Sequence, residues 1–139
     1  MACSANQHPY RGWRLNNVTL LHRQVNPSWI QEGRVTSQAF KPTPKDEFKL
    51  SVYDGDLISP EDAWGHYTQT LLLDSIGVLA VTVVECSAHE LDARPDPEPF
   101  PEHAIIDFTG LGTNQIEKKS KKLKASAVDR GWQFQPDEE

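Results

Sequence analysis

Ten prolines divide this chain into short elements more sharply than any other feature does. Pro42 and Pro44 form one cluster, and Pro95, Pro97, Pro99 and Pro101 form another. Each cluster breaks regular structure, because proline fixes φ and has no N–H to give a ladder or a helix. Between such breaks the elements must be read one at a time. Val18 to Val25 alternates and is β-branched at several positions, which predicts a strand. Asn26-Pro27 opens a turn, since Asn accepts at a helix N-cap and Pro suits the first helical position. Ser28 to Glu32 is then expected to make one or two helical turns, with Gly33 as the left-handed exit. Arg34 to Phe40 and Phe48 to Tyr53 read as strands on either side of the Pro-rich loop Lys41 to Glu47. Asp54-Gly55-Asp56 is a turn signal.

Ser59-Pro60-Glu61-Asp62 has a capping hydroxyl, a proline and acids in the first turn, which predicts a helix running to about Leu73. Val78 to Val84 is a continuous β-branched run and is expected to be a central strand buried on both faces. Cys86 to Asp92 reads as a turn or short helix, Arg94 to Pro101 as extended and exposed chain. His103 to Phe108 is a short strand. Asn114-Gln115-Ile116-Glu117 has the form of a capping box. It opens a last helix to about Arg130, stopped by Gly131, with Trp132-Gln133-Phe134 as an edge strand. The sum is an α+β fold: a small mixed or antiparallel sheet with two main helices. Its single compact domain is expected over residues 13–135, after a disordered stretch at 1–12 and before an acidic tail at 136–139.

At 139 residues the chain suits one domain, and 37% apolar residues suffice for a core. A net charge of −6 argues against a general nucleic-acid binder. Lys118, Lys119, Lys121, Lys122 and Lys124 read as a solvated face opposite Ile116, Leu123 and Ala127, with no arginine–aromatic interleaving for base stacking. The two cysteines, Cys3 and Cys86, form no disulfide framework, so a reducing cytoplasm is expected. MACSANQHPYRGW has no signal-peptide h-region, and the apolar run Ile76 to Val84 is too short to span a bilayer, so no membrane role is expected.

Chemistry-bearing patterns are incomplete. Cys86-Ser87-Ala88-His89 has half the spacing of a zinc site and no second pair, so no metal is expected. His66-Tyr67-Thr68 is one His-x-Thr element of a two-histidine phosphoesterase. Its required second copy is missing, because Gln24 follows His22 and Ile105 follows His103 at that spacing. Ser37 lacks the Gly-x-Ser-x-Gly elbow and reads as a strand serine bonded to backbone. Gly110-Leu111-Gly112 before a helix can hold an anion, although a bare Gly-x-Gly specifies little.

The order of elements carries more. His22 lies on an early strand, Tyr53 ends a later one, Ser59-Pro60-Glu61-Asp62-Ala63 opens a helix, and Glu102-His103-Ala104-Ile105-Ile106-Asp107 opens a strand after the valine run. This order resembles the ADP-ribosyltransferase fold of the His-Tyr-Glu type. The resemblance implies an enzyme using NAD. His22 would hold the nicotinamide ribose, Tyr53 would stack on nicotinamide, and Glu102 would stabilise the oxocarbenium-like centre. Separately, Gly33 to Phe40, Leu50-Ser51-Val52 and Pro101 to Ile105 are similar to stretches of small prokaryotic proteins of unassigned activity, which implies a bacterial origin. With His22, the polar residues Ser37, Asp46 and His103 form a candidate ligand-binding cluster if their strands pair. The first expectation is a cytosolic binding or accessory protein that recognises a protein partner or a small anionic ligand and carries no cofactor. Arg94 to Pro101 and the aromatics Trp13, Trp29, Trp132 and Phe134 are its candidate contact surfaces. The alternative is the NAD-using enzyme.

Overall fold

The structure is a computed structural model that describes residues 15–136. The expected disorder at 1–12, Cys3, Trp13 and the tail after Pro136 lie outside the described residues. The strands are β1 (Leu20–Gln24), β2 (Ile30–Gln31), β3 (Arg34–Val35), β4 (Lys49–Asp54), β5 (Val78–Thr82), β6 (Asp92–Pro95) and β7 (His103–Asp107). The α-helices are α1 (Pro60–Gly65), α2 (Val83–Ala88) and α3 (Thr113–Arg130). Five strands form one antiparallel sheet in the order β5-β1-β4-β7-β6, and β2 pairs with β3 in a separate hairpin. The α+β architecture with an antiparallel sheet is the expected one. Among the described residues no helix is long and apolar enough to cross a membrane.

Several elements differ from expectation for local reasons. Ser28 to Glu32 is not helical beyond a 3-10 turn at Pro27–Trp29, which Asn26 caps by accepting from the Ser28 N–H at 2.8 Å. The chain then turns back as a hairpin through Glu32 and Gly33, both at positive φ (52° and 78°), as a two-residue hairpin loop requires. Only Arg34–Val35 of the expected strand 34–40 is extended, and Ser37–Phe40 is a 3-10 turn that buries Ala39 and Phe40. The valine run changes form inside itself. Thr82 accepts from the Glu85 N–H while Glu85 accepts from the Thr82 N–H, a capping box that starts α2 at Val83. The Asn114 capping box does not form, since α3 begins two residues earlier with Gly112 as its cap.

β5 is an edge strand rather than a central one. It is buried on both faces, and the C-terminal segment covers its free edge. Val78 and Phe134 form a bridge, with Val78 N–H donating to the Phe134 carbonyl (2.9 Å) and Gln133 N–H donating to the Val78 carbonyl (2.8 Å). Arg130 Nη1 donates to the Ala80 carbonyl (3.0 Å) and the same guanidinium holds Glu85 at 2.8 Å. Such a covered edge offers no row of free backbone groups to another chain.

Alternation gives the sheet two unlike faces. Leu21, Leu50, Val52, Leu79, Val81, Ala104 and Ile106 point into a core closed by Ile116, Leu123 and Ala127 of α3 and by Phe40. On the opposite face the register sets Ala80, His22, Tyr53 and His103 in one cross-strand row. The β1–β4 ladder stops there: its pairs are Leu21↔Asp54 and His22↔Tyr53 and no more. Beyond them Arg23 takes the place of strand pairing, its Nε donating to the Ala39 carbonyl (2.6 Å) and its Nη1 to the Ser51 carbonyl (3.0 Å).

Tight approach at the closed end of the ladder fixes Gly55. Its N–H donates to the Leu20 carbonyl at 2.8 Å. A Cβ there would be driven into that carbonyl oxygen and would lie 2.9 Å from His22 Nε2. Gly55→Ala is therefore expected to destabilise the domain by about 3 kcal/mol, read as a lower urea midpoint at unchanged slope. Stability equal to the parent's would show that β1 and the turn do not meet this closely.

Candidate functional site

Where β1 and β4 part, the polar sheet face opens into a cavity of about 430 Å³. Its floor is His22 and Gln24 of β1, Ser51 and Tyr53 of β4, and His103 of β7. Arg23, Trp29 and Asp46 stand on one side, Tyr67, Leu71 and Leu73 on another, and Pro99 and Phe100 close it from the Pro-rich loop. Three local devices build these walls. α1 continues into a π-helical turn at His66–Thr70, whose wider spacing brings Tyr67 and Leu71 over the sheet. Trp64 Nε1 donates to the Ser75 carbonyl (2.9 Å) and its ring packs on Phe134, so this segment is pinned. The Pro-rich loop is closed by Asp96 N–H donating to the His103 carbonyl (2.9 Å) and His103 N–H donating to the Phe100 carbonyl (3.1 Å).

The floor groups differ sharply in how well they are satisfied. Tyr53 Oη and His66 Nδ1 share a hydrogen bond of 2.8 Å, and both rings pack against Phe100. Burial pushes the Tyr53 phenol well above its ordinary range, helped by the charges of Tyr67 and Glu102, so it stays protonated. His103 Nδ1 lies 2.8 Å from the Asp96 carbonyl and its Nε2 lies 3.0 Å from Ser51 Oγ. His22 and Gln24 are only 2% and 3% exposed, yet His22 Nδ1 and both polar atoms of the Gln24 amide have no hydrogen-bond partner. A buried amide without partners costs stability, so its retention on a cavity floor points to a function. Burial lowers the His22 imidazole to about 4, so it is neutral at physiological pH.

Arg23 supplies the positive charge. Its guanidinium lies 5.1 Å from the centre of the Trp29 ring, a cation–π distance. Desolvation lowers it to about 10, offset in part by the Asp46 carboxylate, so it is still a cation at neutral pH.

Of the sequence candidates, His22, Tyr53, Asp46 and His103 line this one cavity. Ser37 does not: it lies in a separate shallow depression with Ser28, Thr36 and Gln38. Glu102 is also outside the lining, and its carbonyl accepts from the Asp54 N–H (2.8 Å) at the end of the β4–β7 ladder. The half zinc motif does not assemble, since Cys86 is fully buried with its thiol pushed up to about 12 by burial. Among the described residues no group of three or more His, Cys, Asp or Glu side chains is placed to hold a metal. On the lysine helix, Lys119 Nζ donates to the His89 carbonyl, at the C-terminal end of α2 where a cation is favoured. Gln24, Ser51 and Arg23 are site residues that the sequence patterns did not single out, while Trp29 was expected there as a contact aromatic. Their signal was polar residues at alternate positions of apolar strands, Gln24 with His22 and Ser51 with Tyr53. The chain matches no family model, no curated protein and no solved structure in comparison with known proteins.

Gln24→Met removes a buried amide without opening a hole. It is expected to raise stability by about 1 kcal/mol, seen as a melting temperature about 3 °C higher. A lower melting temperature would mean that the amide has protein partners. His22 gives a pH signature. Its folded value of about 4 lies below the ordinary 6.5, so the unfolded chain binds the extra proton first. The stability from keeping His22 neutral is complete above pH about 6.5 and is lost as pH falls toward about 4. The loss amounts to about 3 kcal/mol. Urea unfolding across this range should show the slope in the parent and a flatter one in His22→Leu. Equal slopes would place His22 in water.

Proposed function

We propose that this domain is a binding protein that takes a small anionic ligand into the cavity over β1, β4 and β7. Its setting in this reading is the bacterial cytoplasm. The observation that carries the proposal is the Gln24 amide, buried on the cavity floor with neither of its polar atoms paired. In this reading a small turn of the buried side chain presents the amide to the ligand, where it donates one hydrogen bond and accepts another. Arg23 favours negative charge, and Trp29, Tyr67 and Phe100 favour a flat apolar body. Leu72, 80% exposed between Leu71 and Leu73 at the cavity mouth, gives a protein partner an apolar place to rest over the bound ligand.

One observation favours a second reading, the NAD-using enzyme: His22 and Tyr53 are direct cross-strand neighbours and line the same cavity. Against it, Glu102 is outside that lining.

Thermal-shift titration separates the readings. Benzoate and nicotinate, as small flat carboxylates, are expected to raise the melting temperature with the logarithm of concentration, and Gln24→Met is expected to abolish the rise. No shift with either compound at millimolar concentration contradicts the binding reading. Release of nicotinamide from NAD by the parent, lost in Glu102→Gln, would instead favour the enzyme. NAD without effect on stability or release removes it.

A further inference from the structure

A serine, a histidine and an aspartate stand in a connected line, the first two on the cavity floor. Ser51 Oγ is 3.0 Å from His103 Nε2. His103 Nδ1 is 2.8 Å from the Asp96 main-chain carbonyl and 3.5 Å from Asp96 Oδ2. The carbonyl can only accept, so Nδ1 must carry the proton of the neutral ring. Nε2 is then a bare lone pair, and the Ser51 hydroxyl must donate to it. That is the protonation state a general base needs to take a proton from a serine nucleophile. Ser51 is an exposed residue and His103 a buried one, and both line the cavity.

We propose that Ser51 is a nucleophile activated by His103, and that the domain cleaves small esters with a flat or apolar acyl group. The proposal rests on the reading of this cavity as a ligand site and adds a reaction to it.

The chemistry closes on residues present and on water. The Ser51 hydroxyl oxygen bonds to the ester carbonyl carbon as its proton passes to His103 Nε2. The carbonyl oxygen becomes an oxyanion. Gln24 is placed to receive it: His22↔Tyr53 is the last ladder pair, and two residues further along each strand on the same face stand Gln24 and Ser51. The Gln24 Nε2 donor is buried and has no other partner, so a turn of the side chain toward Ser51 is what would present it to the oxyanion. When the oxyanion collapses, the bond to the alcohol oxygen breaks and the alcohol leaves with the proton from His103. Water then attacks the acyl carbon, gives a proton to His103, and the acid departs as Ser51 regains its hydrogen. Asp96 is a positioning residue: its carbonyl fixes the tautomer, and its carboxylate faces the imidazolium that forms. Pro95 and Pro97 on either side restrict Asp96 to this placement.

A fluorophosphonate probe, mapped by peptide mass spectrometry on the full chain, tests this directly. The parent is expected to be labelled at Ser51. Ser51→Ala should abolish labelling, and His103→Gln should slow it about a hundredfold. Ser51→Ala loses the bond to His103 Nε2 and should lower the melting temperature by a few degrees while staying folded, so it decides the site even where His103→Gln weakens the fold. A parent that takes no label while benzoate still shifts its melting temperature overturns the nucleophile and leaves ligand binding standing. Neither label nor shift overturns both. Labelling that persists in Ser51→Ala, or that is as fast in folded His103→Gln as in the parent, also overturns the proposal.

Discussion

The site depends on one arginine replacing a strand pairing. β1 and β4 pair at Leu21↔Asp54 and His22↔Tyr53 and then part. Parting strands leave backbone carbonyls in need of donors. Arg23 meets that need with bonds to the Ser51 and Ala39 carbonyls. Its planar fork can reach two acceptors at once, which a lysine ammonium at the same position would do less well. Trp29 beneath the guanidinium and the Asp46 charge nearby lessen the cost of holding a cation there. The opening so held is where Gln24, Ser51 and the end of the cavity lie.

The two sheet faces divide the work. One face is a continuous apolar core closed by α3, and it supplies the stability. The other bears His22, Gln24, Tyr53 and His103, all of which are costly to bury. Tyr53 and His103 are satisfied by His66, Asp96 and Ser51, so their cost is largely offset. His22 Nδ1 and the Gln24 amide are not satisfied. Sites that trade stability for function commonly carry such groups, and here they adjoin each other on one strand.

Much of the sheet was legible because its signals are local. Alternation around His22 and around Tyr53 marked β1 and β4, and Ser59-Pro60 marked the start of α1 through the Ser59 hydroxyl accepting from the Asp62 N–H. The convergence of His22, Tyr53 and His103 followed from strand pairing, while Asp46 reaches the cavity from a 3-10 turn. What was not legible depends on distant partners. The valine run reported burial on both faces but not that Phe134 and Arg130, far along the chain, cover an edge. Gly33 reported a left-handed backbone, yet only Glu32 joining it at positive φ makes a hairpin instead of a helix end. Ser37 looked like a strand residue because Val35 and Phe40 are apolar, but Phe40 is drawn into the core by a 3-10 turn and Ser37 is left away from the cavity. Arg23 was not singled out, since nothing in its neighbours announces that a ladder will end beside it.

A crystal structure of Arg23→Met measures the central claim most directly. Without the guanidinium, β1 is expected to close on β4, bringing Gln24 and Ser51 into ladder register and eliminating the cavity between them. Strands parted to the same extent, around an unchanged cavity, would contradict the claim that this arginine holds the site open.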